Sequence, residues 1–186
     1  MKFFKIIFTI FLTLNLFACS SNEASSVSRL NLDENSFTKF ENADFEIFFP
    51  NSFNSKSNKS IIVFESKVKD LLFTPNLSIQ KLNLEGSLNA VEEELIAKAE
   101  KRLFDFEIID SQTLEIASET GTQIMKLSLF SGRTEIELAK TEFIQALVKK
   151  DNTLYVITGA YGQSDNQNVA DVLKESIKSF FLKSKV

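Results

Sequence analysis

Hydrophobic and polar residues alternate in several short segments of the chain, which is the pattern of half-buried β-strands. In the first segment, Phe45, Ile47 and Phe49 lie at every second position, and Pro50 ends the strand. The polar stretch 51–60 that follows is predicted to be a loop. Strands are predicted over about 44–50, 61–66, 77–82, 106–117, 123–130, 136–149 and 154–160.

Two further segments carry apolar residues at helical spacing. In the first, Asn89 followed three residues later by Glu92 predicts a capping box at the helix start. One stripe of that helix then contains Leu88, Val91, Leu95, Ala99 and Leu103. The second helix is predicted to begin at Ser164 or Asp165, and its stripe contains Val169, Val172, Leu173, Ile177, Phe180 and Phe181.

Short connections separate most neighbouring predicted strands, and short connections favour antiparallel pairing. The pattern therefore predicts an α+β fold, in which helices cover an antiparallel sheet of six or seven strands. The connection over 67–76 differs because it carries the apolar triplet Leu71, Leu72 and Phe73. The triplet is either a plug that closes one edge of the core or an exposed surface that binds a partner.

The N-terminus has the pattern of a lipoprotein leader. Lys2 and Lys5 precede the apolar stretch 6–17, whose 12 residues are too few to span a bilayer. The sequence Leu16-Phe17-Ala18-Cys19 then resembles the bacterial lipobox. These residues predict a signal peptide over 1–18 and lipidation of Cys19. A cleaved leader with an incidental Cys, or an uncleaved anchor, are the alternatives.

The segment after the predicted lipidation site is Ser-rich and polar, without helical or strand period. We interpret 19–42 as the lipidated Cys and a tether, and 43–186 as one folded domain. Leu30 and Leu32 are apolar residues of the tether that could instead pack on the domain.

Charge and composition narrow the classes of function. The formal charge is −4, and because Lys2 and Lys5 lie in a leader without acids, the mature part carries 19 − 25 = −6. Nucleic-acid phosphates require clustered Lys and Arg, so this balance argues against nucleic-acid binding. The chain has no His and one Cys, which excludes Ser-His and Cys-His nucleophile pairs. We therefore predict no catalytic residue, no cofactor and no metal site.

Three polar clusters were candidates for ligand sites. The acids at 92–94 suit a cation, but they also suit the solvated start of a helix. The segment 165–168 lacks the Gly and the closing Glu of a calcium loop, which favours a helix cap. Gly159 and Gly162 are interpreted as a turn between strand and helix rather than as a phosphate site.

The order of these elements suggests a family. FEIFFP, VFES, PNLSIQKL, LYVITGAYGQSDN and SIKSFF follow one another over about 43–182 and together resemble the PsbP-like superfamily, which includes the DcrB-type lipoproteins. The resemblance implies a three-layer α/β/α sandwich with a central antiparallel sheet, no shared catalytic residues, and an accessory, assembly or partner-binding role. Where the family often has Gly-Trp after the opening Pro, this chain has Asn51-Ser52-Phe53, so photosystem members are poorer models.

The sequence thus predicts a non-enzymatic bacterial lipoprotein. It would be held at the cell membrane or outer membrane through lipid on Cys19, facing the periplasm or the exterior, with a protein partner bound at Leu71, Leu72 and Phe73. The alternative is a carrier or sensor of a small apolar ligand in a Phe-lined pocket, since the chain has 19 Phe. A hydrolase that uses carboxylates or a Ser-Lys pair is the third hypothesis.

Overall fold

Ten β-strands and two α-helices make up the part of the chain that the structure, a computed structural model, describes: residues 32–57, 61–68, 73–163 and 167–184. In chain order these elements are β1 Phe37–Glu41, β2 Phe45–Pro50, β3 Phe53–Ser57, β4 Ile61–Ser66, β5 Asn76–Asn83, α1 Leu88–Arg102, β6 Phe104–Ser118, β7 Gly121–Arg133, β8 Thr141–Lys150, β9 Thr153–Gly162, α2 Gln167–Lys178 and β10 Phe181–Leu182.

All ten strands belong to one sheet, in the order β1-β2-β10-β6-β7-β8-β9-β5-β4-β3. Neighbouring strands are antiparallel except β10 and β6, which pair in parallel where Leu182 lies opposite Ser118. Tight hairpins connect the long strands β6 with β7 and β8 with β9. In the β6–β7 hairpin Ser118 pairs with Gly121, whose φ of 113° suits glycine, and in the β8–β9 hairpin Asp151 has a φ of 53°.

Alternation along the central strands separates the two faces of the sheet. In β9, Tyr155 and Ile157 belong to the main core, whereas Leu154 and Val156 lie in a smaller cluster on the other face. Helix α2 packs on the main core through Leu173 and Ile177, among other residues. Helix α1 packs on the smaller cluster through Leu88, Val91 and Leu95.

Aromatic rings fill the main core where β1, β2, β4 and the C-terminal segment meet. Neighbouring rings are 4.4 to 6.0 Å apart between centroids, which is the range of favourable aromatic pairs. Burial raises the pKa of the Tyr155 hydroxyl in this cluster to about 12. The cluster comprises Phe40, Phe45, Phe49, Phe64, Tyr155 and Phe180.

The predicted fold class is wrong. The sequence and the family resemblance indicated an α+β, three-layer α/β/α sandwich around an antiparallel sheet of six or seven strands, but the described chain is mostly β, with ten strands in a mixed sheet. Helix α1 has 15 residues, none of them buried, and α2 has 12, so neither forms a full layer.

Three strands were missed because they carry little pattern. In β3 only Phe53 is buried, and the next four residues are exposed. Strand β10 has two residues, Phe181 and Leu182, and the helical spacing of Phe181 predicts it at the end of the last helix instead. Strand β1 lies at the end of the predicted tether and pairs with β2 along its whole length.

The predicted capping box was also wrong. Helix α1 begins one residue earlier than Asn89, and its N-cap is Ser87, whose hydroxyl accepts a hydrogen bond from the Ala90 amide at 3.2 Å. Within the described residues, neither helix is long and apolar enough to cross a membrane. The predicted signal peptide, Cys19, Leu71 and Leu72 all lie outside the described residues.

Candidate functional site

A cleft of about 360 Å³ opens between α1 and the sheet face formed by β6 and β7. The register explains why these side chains converge: Ser111 lies opposite Ser128, and Thr113 lies opposite Lys126, so all four belong to the face that α1 covers. The cleft is lined by Asn89, Glu92, Glu93, Ile96, Ile108, Ser111, Lys126 and Ser128. We call it the Glu92 cleft.

Glu92 lines this cleft and contacts residues of both β6 and β7. One carboxylate oxygen, Oε1, accepts hydrogen bonds from the hydroxyls of Ser128 at 2.8 Å and Ser111 at 3.1 Å. The other oxygen, Oε2, is 3.9 Å from the Lys126 ammonium. The side chains of Glu92 and Lys126 are 18% and 20% exposed, so solvent screens this charge pair less than a surface pair.

This arrangement ties α1 to the sheet. Ser128 is buried, and its hydroxyl donates to Glu92. The charged side chains that line the cleft are Glu92, Glu93 and Lys126. Of the three acids at the helix start, only Glu92 has this environment; Glu94 pairs with Lys98 on the exposed surface at 2.6 Å. The interpretation of 92–94 as a solvated helix start therefore fits Glu94 but misses the tertiary contact of Glu92.

Exposed apolar side chains lie beside the cleft, at the end of the sheet where β6 begins and β7 ends. Phe104 lies opposite Arg133 in the β6–β7 ladder, and the Arg133 guanidinium donates a hydrogen bond to the Ile136 carbonyl at 3.1 Å. These contacts bring the start of β6 and the segment after β7 together. We call the exposed group the apolar rim; it comprises Phe104, Ile108, Ile109, Ile136 and Leu138.

Sequence patterns did not reveal the apolar rim. Ile108 and Ile109 fall inside the strand predicted over 106–117, where one of two adjacent residues is expected to be buried, yet they are 52% and 46% exposed. The β6–β7 register shifts between Ile108 and Asp110, so a β-bulge interrupts the alternation there. The start of β6 is exposed whereas Ile116 near its end is buried, and this difference depends on the neighbouring elements rather than on the sequence of the strand.

The predicted partner surface lies elsewhere. Phe73 is half-buried before β5, a strand that three others separate from β6. The structure therefore does not bring the described member of the Leu71-Leu72-Phe73 triplet to the Glu92 cleft. Gly159 lies within β9 rather than in the predicted turn between strand and helix, and a Cβ there would make an ordinary contact of 3.5 Å with Leu173 of α2.

Comparisons with known proteins show the fold but no close relative. No family model matches the chain, and no curated protein matches it. Among solved structures, cyanobacterial PsbP (CyanoP) from Synechocystis sp. PCC 6803 is similar with a TM-score of 0.59 and 12% identity, over 83% of this chain and 97% of that chain.

Two further structures have the same fold. PA94 of Pseudomonas aeruginosa, a protein of unknown function, has a TM-score of 0.53 and 15% identity, over 77% of this chain and 94% of that one. LpqN of Mycobacterium tuberculosis, which is involved in cell envelope biogenesis, has a TM-score of 0.51 and 12% identity, over 80% and 91% of the two chains. The fold of this chain is thus PsbP-like, as the sequence resemblance indicated.

Proposed function

We propose that this protein is a lipid-anchored lipoprotein of the bacterial cell envelope, whose PsbP-like domain binds a protein partner and catalyses no reaction. The apolar rim beside the Glu92 cleft is the observation that carries the binding role. Large apolar side chains at one end of a sheet are costly to expose, and covering them with a partner recovers that free energy.

The surroundings of the apolar rim suit a protein partner. The exposed acids Asp105 and Glu107 form ion pairs beside it with Arg133 at 3.1 Å and Lys140 at 2.9 Å. An apolar patch with a charged border is the usual composition of a protein interface. One protein that shares the fold, LpqN, is involved in cell envelope biogenesis, which supports a location in the envelope.

Substitution of one rim residue tests the binding role. Ile108→Lys should leave the melting temperature close to that of the wild type, because the side chain is 52% exposed, and should abolish in-cell crosslinks to the partner. Leu82→Lys is the matched control, since Leu82 is 36% exposed on β5, a strand that three others separate from β6. Loss of the same crosslinks in both variants, or in neither, would contradict the assignment.

The lipid anchor is proposed from Leu16-Phe17-Ala18-Cys19. We expect Cys19→Ser to abolish labelling with radioactive palmitate and to release the protein from the membrane fraction. A single acyl chain holds a protein only marginally, whereas two or three hold it stably, so the release should be nearly complete. A Cys19→Ser protein that still sediments with membranes would show that another part of the chain holds it there.

The triplet Leu71-Leu72-Phe73 remains a second candidate for the partner surface. Leu72→Asp separates its two interpretations, because a carboxylate forced into the core unfolds the domain whereas one on the surface does not. The carrier alternative has less support: the core Phe rings pack on one another, and neither the Glu92 cleft nor the cleft beside Thr120 and Lys150 is lined by Phe.

A further inference from the structure

Among the described residues, few pair with the outer edge of β6. Strand β6 has 15 residues, and in the described part of the chain β10 pairs with it only where Leu182 lies opposite Ser118. From Asp110 to Ser118 the pairing with β7 runs without a register shift, so this part of the strand is regular. An unpaired edge of this kind is a template for another strand.

The hydrogen bonds at the hairpin show which backbone groups point outward. The Glu119 amide donates to the Leu182 carbonyl at 3.0 Å, on the side away from β7. Residues of an antiparallel strand direct their N–H and C=O groups alternately to one side and the other. The amides and carbonyls of Glu115, Thr113 and Ser111 therefore lie on the open edge, whereas the Ala117 carbonyl faces Leu182 of β10.

The charge of β6 distinguishes it from the other free edges of the sheet. Strand β6 carries Asp105, Glu107, Asp110 and Glu115 and no Lys or Arg, whereas the end strands β1 and β3 have five residues each and contain Lys39 and Lys56. A second copy of β6 would bring four more acids and no Lys or Arg to this edge, so its charge would not complement that of the strand. The complementary strand is one that carries Lys or Arg.

We infer that the open edge of β6 binds an extended, basic segment of a partner protein, which adds to the sheet as an eleventh strand. Backbone hydrogen bonds with Ser111, Thr113 and Glu115 would hold this segment, and the exposed acids Asp110 and Glu115 would select its Lys and Arg side chains. Where the segment reaches the start of β6, its apolar residues meet the apolar rim. This inference rests on the proposed partner-binding function and specifies the chemistry of the partner.

A model peptide tests the inference on the full chain purified in detergent. The probe is a capped decapeptide in which Val alternates with Lys, and the reference is the same peptide with Glu in place of Lys. We expect the Lys peptide to bind at least tenfold more tightly at low salt, with the difference shrinking as salt screens the charges. Hydrogen exchange should show new protection of the Thr113 and Glu115 amides when the Lys peptide is bound.

Substitutions at Thr113 separate strand addition from simple charge attraction. Proline is tolerated where an edge amide faces solvent, so Thr113→Pro should keep the fold but remove one outward N–H, and we expect at least tenfold weaker binding. Thr113→Ala keeps the amide and should bind like the wild type. Glu115→Lys should weaken the Lys peptide without changing the melting temperature, because Glu115 is exposed.

Several outcomes would overturn the inference. These are equal binding of the Lys and Glu peptides, unchanged binding by a folded Thr113→Pro variant, no protection of the Thr113 and Glu115 amides, and a concentration-dependent dimer that Thr113→Pro abolishes. The proposed function fails separately: if Ile108→Lys loses the partner in cells while Thr113→Pro keeps it, the domain binds its partner without adding a strand.

Discussion

At the scale of single residues, Glu41 links the first strand to the C-terminal end of the chain. Its carboxylate accepts hydrogen bonds from the Lys183 ammonium and, at 2.8 Å, from Lys39. These two partners lower the pKa of Glu41 to about 2. The buried acid Glu46 lies between the same two cations, 3.6 Å from Lys39 and 3.7 Å from Lys183.

The low pKa of Glu41 predicts a pH-dependent contribution to stability. A carboxyl group with a pKa of 4.5 in the unfolded chain and about 2 in the fold stabilises the fold fully above pH 4.5, and loses this effect as the pH falls toward 2. The melting temperatures of the wild type and Glu41→Gln should therefore differ above pH 4.5 and converge below it. Glu100→Gln, an exposed change on α1, is the control.

Thermal melting between pH 2 and 7 measures this difference. The control should show little difference from the wild type across the range, because Glu100 is exposed on α1. A difference for Glu41→Gln that stays constant down to pH 2 would contradict the assigned pKa.

At the scale of elements, α1 is attached to the sheet by few contacts. Its hydrophobic stripe packs on the small cluster of Leu147, Leu154 and Val156. Glu92 accepts hydrogen bonds from Ser111 and Ser128, and Leu103, which follows the last turn, lies against Gly132 of β7. A Cβ at Gly132 would lie 2.7 Å from the Leu103 Cβ, closer than real Cβ atoms approach. The glycine is therefore required for the helix end to reach the sheet.

Gly132→Ala should destabilise the domain by about 1–3 kcal/mol, the usual cost of overpacking. The same change at Gly159 is the control, because its Cβ would make an ordinary contact of 3.5 Å with Leu173. Urea denaturation measures both free energies of unfolding. If Gly159→Ala is the more damaging of the two, the close approach of α1 to β7 is not as tight as the structure indicates.

At the scale of the whole molecule, β1 closes the aromatic end of the core. Phe40 packs on Phe45 and Phe64 with ring centroids 6.0 and 5.5 Å apart, and β1 pairs with β2 over five residues. The domain that sequence patterns outlined starts at 43, after this strand. A fully stable domain must therefore include β1 and so begin before Phe37.

Two N-terminal truncations test this point. A fragment that begins at Leu32 should show one cooperative melt, because it retains β1 and its pairing with β2. A fragment that begins at Asn42 should melt at a lower temperature, since it loses β1 and exposes Phe45 and Phe64. Circular dichroism follows both transitions. Equal melting temperatures would show that β1 contributes little to the fold.

Local sequence determined the features that depend on neighbouring residues. Strand β4 was predicted with the bounds Ile61–Ser66, because a run of β-branched and aromatic residues is a strong strand signal. The hairpin turn at Lys150-Asp151-Asn152 was likewise indicated by its own turn residues. The order of elements was enough to suggest the PsbP-like fold, which the solved structures confirm.

Only the tertiary structure decided the features that depend on distant residues. Strands β3 and β10 exist because a neighbouring strand pairs with their backbone, and backbone pairing leaves no trace in a polar or two-residue segment. Glu92 meets Ser128 across 36 positions of the chain, a contact that no local period encodes. The open edge of β6 follows from the shortness of β10, because an edge is a property of the sheet and the sequence of a strand does not record how far its neighbour extends.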